Sequence, residues 1–283
     1  GAAGAAPVIS TIKGLGYKDH SLPGNALDPS DRDVAGGDPQ IDIQNFPLKG
    51  MYMPDAIGSY ESGGDTYFVI ANEGDARDYT GFAEEARIKD LPWDPASPVA
   101  SLLADEDLGR LTVTTTLGDV DNDGDYDEAF VFGGRSFTIL DADGNLVIDS
   151  GDAIEQILAE QYPELWQEGR SDNKGPEPEG VALAEVAGRN LLFLGLERTS
   201  ATMVFDITDP VNAIFLSVLA TAGDVAPEGL SVFEVAGNVF LAVANEVSGT
   251  TTLYSVSAVP VPAALPLAAS ALGLLAAWRR RRA

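Results

Sequence analysis

An acidic decapeptide at residues 119–128, DVDNDGDYDE, carries the clearest chemical signal in the sequence. Carboxylates at alternate positions around a glycine that permits a sharp turn are the hard oxygen ligands that Ca²⁺ prefers. Phe130 stands at the twelfth position, where an EF-hand has its bidentate acid, so we predict a shorter calcium loop. A solvated acidic turn without metal is the alternative. The predicted ligands are Asp119, Asp121, Asp123, Asp125, Asp127 and Glu128.

Two further sets of acidic residues recur in a unit that the chain repeats three times, at residues 54–73, 178–197 and 227–246. Counted from the proline that opens each copy, an acid stands at offset +1 (Asp55, Glu179, Glu228) and another at offset +19 (Glu73, Glu197, Glu246). Equivalent positions of repeated blades form a ring around a common axis. A carboxylate ring could hold a metal or a cationic ligand. Alternatively, the acids bond backbone amides where the chain enters each blade.

The repeated unit itself predicts the elements that position these acids. Each copy has two apolar runs separated by a glycine at offset +10, which is the pattern of a β-hairpin. A further apolar run starts at offset +23 in the second and third copies, at residues 201–207 and 250–256. Three or four strands per 40–50 residues indicate an all-β, β-propeller-like fold. Because a closed propeller has at least four blades, we expect an N-terminally incomplete fragment.

The region between the first two copies breaks the period. Residues 82–108 are interpreted as an insertion between blades. Residues 108–150 are interpreted as a degenerate blade, with strands at 111–117, 128–132, 136–141 and 145–149. A helix is predicted over 152–167, because its apolar residues fall on one face, with Ser150 as a possible N-cap.

Composition excludes several classes of site. The net charge of −27 disfavours nucleic acid and anionic lipid as partners and favours divalent cations. The chain has no Cys, which excludes disulfides and zinc–thiolate sites, and its single His, His20, excludes a His-cluster metal site. A Ser-His-Asp triad would have to use His20, which is interpreted instead as a polar loop residue.

The C-terminal segment, residues 257–283, differs from the body of the chain, residues 1–256. No charged residue occurs from Val247 to Trp278, and four arginines follow. Residues 258–278 would form a helix of about 31 Å, enough to cross a bilayer core. The arginine cluster predicts that this end lies in the cytoplasm, with the repeats on the opposite side of the membrane.

The tail resembles the VPLPA variant of the PEP-CTERM sorting signal, which has a Val-Pro-x-Pro-type motif, an apolar helix and a terminal arginine cluster. The matching residues are Val259, Pro260, Val261, Pro262, Ala263, Arg279, Arg280, Arg281 and Arg282. The resemblance implies a Gram-negative source and an exosortase-type membrane protease as partner. It also implies transient anchoring in the inner membrane and delivery to the cell envelope or extracellular matrix.

The body resembles the choice-of-anchor I domain, a family related to an animal mesenchyme-specific cell surface glycoprotein. The resemblance is carried by LPGNALDPSDRD (22–33), MPDAIGSYESGGDTYFVIANEGDARDY (53–79), residues 117–147, residues 174–210 and PEGLSVF (227–233). It implies a secreted or anchored propeller-like domain. Some members of the family are labelled alkaline phosphatase.

Three functions follow as hypotheses. The favoured one is a non-catalytic, calcium-stabilised surface or matrix protein. The second is a metal-dependent phosphoesterase of the alkaline phosphatase or phytase kind, but the 13 Lys and Arg outside the tail form no cluster that could bind phosphate. The third is a lactonase-type propeller hydrolase, for which Asn72 and Asn245 are the only asparagines beside the repeat acids.

Overall fold

The computed structural model describes Ile9 and residues 11–257. These residues form eighteen strands, one α-helix and three short 3₁₀ helices, so the fold is almost entirely β. The helix is α1 (Ala153–Gln161), and the 3₁₀ helices are Ile88–Asp90, Pro163–Leu165 and Glu168–Arg170. The strands are β1 (Tyr17–Asp19), β2 (Leu48–Met51), β3 (Pro54–Ser62), β4 (Asp65–Asn72), β5 (Asp78–Tyr79), β6 (Phe82–Ala83), β7 (Glu85–Arg87), β8 (Thr112–Thr114), β9 (Ala129–Phe132), β10 (Ser136–Asp141), β11 (Leu146–Asp149), β12 (Pro178–Val186), β13 (Arg189–Leu196), β14 (Ala201–Asp206), β15 (Ile214–Leu219), β16 (Pro227–Val235), β17 (Asn238–Asn245) and β18 (Thr250–Val256).

The three repeats form three equivalent hairpins, β3–β4, β12–β13 and β16–β17, which confirms the hairpin prediction. Each turn has two residues with positive φ: Gly63 and Gly64, Ala187 and Gly188, or Ala236 and Gly237. Two left-handed residues define the type I′ turn, whose twist matches that of the flanking strands. This requirement explains the glycine at offset +10. In each hairpin the opening proline pairs with the residue eighteen positions later, and a register shift follows at once.

The first sheet has the order β11-β10-β4-β3, which corrects two interpretations. Strands β10 and β11 were assigned to a separate degenerate blade, but β10 pairs antiparallel with β4 and completes the first sheet. Residues 73–135 are therefore inserted within this sheet rather than between blades. Asn72 helps to fix the pairing, because its Nδ2 donates to Ser136 Oγ at 3.0 Å and to Thr138 Oγ1 at 2.8 Å.

The inserted region and the N-terminal residues build a five-stranded mixed sheet of order β1-β2-β9-β8-β7, in which β2 and β9 run parallel. The strands predicted at 111–117 and 128–132 appear here as β8 and β9. The sheet has its own apolar core, formed by Leu27, Leu48, Ile88, Val99, Leu108, Leu111, Val113, Ala129 and Val131. A second small sheet pairs β5 with β6.

The second sheet (β12-β13-β14-β15) lies between the first sheet and the third (β16-β17-β18). Phe137 of β10 contacts Phe205 of β14 in the first interface, with ring centroids 4.9 Å apart. Glycine permits the close approach in the second interface, because a Cβ on Gly180 would lie 2.8 Å from Glu228 O. Strand β12 therefore has β3 on one side and β16 on the other.

The single α-helix is shorter than predicted. It begins at Ala153 with Asp152, not Ser150, at the N-cap position, and it ends at Gln161. Pro163 lies two residues beyond this end, and proline disfavours a helical conformation in the residue before it. Ile154 and Leu158 are buried in the core between the first and second sheets.

The membrane prediction concerns residues that the structure does not describe. Within the described residues, no helix combines the length and apolarity needed to cross a bilayer. The predicted transmembrane helix, the sorting motif and the arginine cluster lie in residues 258–283, outside the described part.

Candidate functional site

A cluster of carboxylates lies where the first and second sheets meet. Glu73 follows β4, Glu197 follows β13 and Glu177 directly precedes β12. Carboxylate oxygens of these three residues lie within 4.8 Å of one another. Glu73 and Glu197 occupy the same offset in two equivalent hairpins of adjacent sheets, and this equivalence brings their side chains to the same place.

Glu177 lies at the centre of this cluster, and sequence reasoning missed it. Its side chain is 1% exposed, and its carboxylate accepts hydrogen bonds from Arg170 Nε and Arg198 Nε, both at 3.1 Å. Its backbone φ is +50°, and the residues before the other two opening prolines are also left-handed (Met53, +44°; Ala226, +61°). The shared feature is a backbone conformation. The three residue types differ, so comparing the repeats could not single out this acid.

The pKa values of Glu73, Glu179 and Glu197 are raised. Burial raises the pKa of Glu179 to about 8, helped by the negative charges of Glu197 and Glu73. Burial, followed by the charges of Asp55 and Glu177, raises the pKa of Glu73 to about 7. The pKa of Glu197 is also raised by burial, although Arg198 opposes the shift. Glu179 therefore keeps its proton near neutral pH, where an exposed glutamate has lost it.

The six predicted ring positions differ in how closely they approach one another. Glu73 and Glu197 belong to the cluster, and Glu179 is close enough to it that the charges of Glu197 and Glu73 raise its pKa. Asp55 and Glu228 are exposed at its margin, where their charges contribute to the raised pKa of Glu179. Glu246 is exposed, and its backbone N–H donates to Ala226 O at 2.8 Å.

Basic side chains offset only part of the cluster's charge. Arg198 contacts Glu177 and also places NH1 2.8 Å from Glu197 Oε1. Lys174 lies nearby, with Nζ 3.6 Å from Asp75 Oδ1 and 3.7 Å from Glu85 Oε1, and its charge opposes the rise in the pKa of Glu73. In contrast, Glu179 Oε2 is buried and has no hydrogen-bond partner among the described residues. The arrangement can therefore take up protons or a cation.

The acidic loop at 119–128 forms a second cluster in the mixed-sheet region. Carboxylate oxygens of Asp119, Asp121 and Asp127 lie within 4.8 Å of one another. The N–H groups of Asp123 and Gly124 each donate to Asp119 at 3.2 Å, and Val120 N–H donates to Asp127 Oδ2 at 2.7 Å. Gly124 has φ +103°, which supplies the predicted sharp turn.

The other predicted calcium ligands lie differently. Glu128 is paired with Lys49, with Oε2 2.6 Å from Nζ. Asp123 accepts a hydrogen bond from Asp125 N–H at 3.2 Å, and Asp125 Oδ1 has no hydrogen-bond partner among the described residues. Desolvation and neighbouring carboxylates raise the pKa of both Asp121 and Asp125. Such a set of converging hard oxygens fits Ca²⁺.

The segment interpreted as an insertion holds this loop in place. Trp93 packs against Tyr126 with ring centroids 5.7 Å apart, and Asp94 N–H donates to Tyr126 O at 3.1 Å. Ser97 Oγ donates to Asp127 O at 2.8 Å. These contacts fix the backbone at the C-terminal end of the acidic loop.

His20 lies in the turn that follows β1, as the sequence suggests, but its side chain is not exposed to solvent. It is fully buried, its Nδ1 lies 2.7 Å from Asn25 O, and Nε2 has no hydrogen-bond partner among the described residues. Burial, followed by the charge of Lys18, lowers its pKa to about 3, so the ring is neutral at physiological pH. A triad would need a serine bonded to this ring, and the described residues provide none.

Two known proteins and one family model are similar in sequence to this chain. Gigasin-3a of Magallana gigas is 32% identical over 162 residues, which cover 50% of this chain and 57% of that protein. The mesenchyme-specific cell surface glycoprotein of Strongylocentrotus purpuratus is 26% identical over 273 residues, covering 81% of this chain and 34% of that protein. The chain thus spans about a third to three fifths of the length of these relatives. The model of the choice-of-anchor I domain matches residues 5–210, and the chain belongs to this family.

Proposed function

We propose that the protein is an exported, surface-anchored or matrix-released propeller-like domain that is stabilised by Ca²⁺ and acts by binding or as a structural component, not by catalysis. Membership of the choice-of-anchor I family and similarity to a protein named as a cell surface glycoprotein support the location. The observation that carries the calcium proposal is the convergence of the Asp119, Asp121 and Asp127 carboxylates.

The packing of the three hairpin sheets supports the propeller-like architecture. Their first strands, β3, β12 and β16, are neighbours, and the fourth strands of the first two sheets lie at the opposite edges. Successive sheets pack face to face through separate apolar cores. In the proposal, these sheets are consecutive blades around an axis.

Ca²⁺ would be held by Asp119, Asp121 and Asp127, whose carboxylate oxygens lie within 4.8 Å of one another. When bound, the ion neutralises carboxylates that otherwise repel one another. The chain's own residues fix the loop through backbone donors and through the Trp93–Tyr126 contact. The expected role is therefore structural.

Thermal unfolding tests the calcium proposal. We expect 1 mM Ca²⁺ to raise Tm by several degrees and EDTA to reverse the rise, because a ligand of the folded state stabilises it by about 2.7 kcal/mol at 100 times its Kd. Asp121→Asn should abolish the shift. Asp143→Asn, in the exposed acidic turn between β10 and β11, is the matched control and should keep it. Equal Tm values with Ca²⁺ and EDTA would rule out the site.

The tail, residues 257–283, is proposed as the sorting signal. In this proposal an exosortase-type membrane protease recognises the motif at 259–263, and the apolar segment holds the precursor in the inner membrane until cleavage. Deleting residues 259–283 should release the protein from the membrane fraction into the medium. A truncated protein that still sediments with membranes would contradict the anchor.

A metal-dependent phosphoesterase is the second candidate, favoured by the Glu73, Glu177 and Glu197 cluster beside Arg198. Carboxylates that hold a metal next to an arginine can polarise and orient a phosphate. Hydrolysis of p-nitrophenyl phosphate and phytate with and without Ca²⁺ separates the two candidates. Turnover that EDTA abolishes and that Glu197→Gln removes would favour the phosphoesterase.

A further inference from the structure

The third sheet has one strand fewer than the first and second, counted over the residues that the structure describes. In each four-stranded sheet the outermost strand follows its neighbour directly along the chain and pairs antiparallel with it: β11 follows β10, and β15 follows β14. In the third sheet the described chain ends at Ser257, one residue after β18. The next residues of the sequence therefore begin where the other two sheets turn into their fourth strand.

A groove of about 710 Å³ lies beside β18, along the face of the second sheet. Phe193 and Val204 line it from the second sheet, Leu216 lines it from β15, and Tyr254 lines it from β18. Leu216 is 42% exposed, although the chain elsewhere buries most of its strand leucines. Arg189 is the one charged residue among the described lining residues, so the groove suits an uncharged apolar segment.

The outer edge of β18 lacks the features that usually prevent strand addition. The strand, TTTLYSV, contains no charged residue and no proline, in a chain with a net charge of −27. Exposed edges of natural sheets normally carry a charge, a proline or a bulge. Ser257 lines the groove, and the sequence continues without charge as far as Trp278.

The spacing of the tail prolines is compatible with this edge. In the second sheet, Ile207 N–H donates to Asn190 O at 2.8 Å. Val256 and Val239 pair at the equivalent positions of the third sheet, so even-numbered N–H groups of β18 face β17 and odd-numbered ones face the outer edge. Tail prolines stand at 260, 262 and 266. All three numbers are even, so the three prolines would face the same edge of an added strand. Proline has no backbone N–H to donate, and this edge can be the one that points away from β18.

We propose that residues 260–267 add antiparallel to β18 as the fourth strand of the third sheet. Odd-numbered tail residues then bond to odd-numbered residues of β18, and the rings of Pro262 and Pro266 face the groove. The inference goes beyond the membrane anchor and does not rest on it. If the proposal holds, the same tail residues can lie either in the groove or in the bilayer, but not in both at once.

Disulfide trapping tests the proposal in the full chain, which has no native cysteine to interfere. Leu253→Cys, on the exposed face of β18, is combined in turn with a single cysteine at each position from 261 to 267. We expect oxidation to cross-link odd positions about tenfold more than even ones, because directly opposed side chains share a face and meet the distance limits of a disulfide. Ala264→Cys is the matched control for Leu265→Cys. Cross-linking without parity, or at no position, would overturn the proposal.

A proline pair checks the backbone contact independently. In the Leu253→Cys, Ala263→Cys background, Leu265→Pro removes an N–H that must face β18, whereas Ala264→Pro removes one that faces outward. We expect loss of the cross-link in the first variant and retention in the second; equal effects would contradict strand addition. Membrane fractionation of the same variants reports on the anchor separately, since both prolines interrupt the apolar segment equally.

Discussion

Glu73 and Glu197 come from different sheets, yet their carboxylate oxygens lie within 4.8 Å of each other. Both stand nineteen residues after the proline that opens their hairpin, so the proximity follows from packing two copies of one hairpin side by side. Like charges at this distance repel, and the structure reduces the repulsion by raising the pKa values and by adding Arg198. Protonation, ion pairing or a bound cation can each offset the remaining repulsion between the carboxylates.

The first prediction concerns pH. The pKa of Glu179 is about 8 in the folded state and near 4.5 for an ordinary glutamate, so the folded protein binds the proton more tightly. The free energy of unfolding should therefore fall as pH rises from about 5 to about 8. Glu179→Gln should flatten this fall when Tm is measured across that range in EDTA. Glu246→Gln, at an exposed repeat position, is the control and should leave the slope unchanged; equal slopes in both variants would contradict the prediction.

The second prediction concerns the arginine of the cluster. Arg198→Met removes the bonds to Glu177 and Glu197, both of which are buried, and should cost about 2–3 kcal/mol of unfolding free energy. Arg189→Met is the control. Arg189 is 56% exposed, and its buried partner Asp206 keeps the hydrogen bonds from the Thr208 N–H and hydroxyl, so the loss should be at most about 1 kcal/mol. Urea denaturation measures both losses. Similar losses in the two variants would show that the cluster does not depend on Arg198.

Local pattern was enough to predict the hairpins. The glycine at offset +10 and the apolar runs on either side are properties of neighbouring residues, and the type I′ turns realise them. The pairing of β10 with β4 was not predictable in this way. It joins residues that are 64 apart at Asn72 and Ser136, across an inserted sheet, and no local signal specifies such a partner.

The same difference between local and long-range information applies to the candidate sites. The acidic loop is a contiguous motif, so its residues could be named from the sequence, and three of its carboxylates do converge. The position of the Glu177 carboxylate is set by its contacts with Arg170 and Arg198 and by a left-handed backbone conformation. The residues next to it in the sequence reveal neither feature. His20 lies in the predicted loop, but its turn-dense surroundings give no sign that tertiary packing buries the ring completely.

The third prediction concerns a buried ion pair between the mixed sheet and α1. Arg135 is 3% exposed, its NH1 lies 2.7 Å from Glu155 Oε1, and the same nitrogen donates to Asp28 O at 2.8 Å. Arg135→Met should cost about 3–5 kcal/mol, because it leaves a buried carboxylate without its partner. Arg32→Met removes an exposed pair with Asp105 and should cost less than about 1 kcal/mol. Chemical denaturation distinguishes them, and a loss for Arg135→Met as small as that for Arg32→Met would contradict the prediction.

The fourth prediction concerns the backbone that positions Glu73. Gly74 has φ +98°, and a Cβ there would lie 2.2 Å from Gly133 N, so the two segments touch through their main chains. Gly74→Ala combines a left-handed conformation with a backbone clash and should cost about 3 kcal/mol or more. Gly81→Ala is the control: φ is +89° there too, but a Cβ would meet no atom within 4 Å. Gly81→Ala should cost about 1 kcal/mol, because only the left-handed backbone conformation is unfavourable for alanine there. Equal Tm losses in the two variants would mean that the segments separate readily, and that Glu73 is not held by this contact.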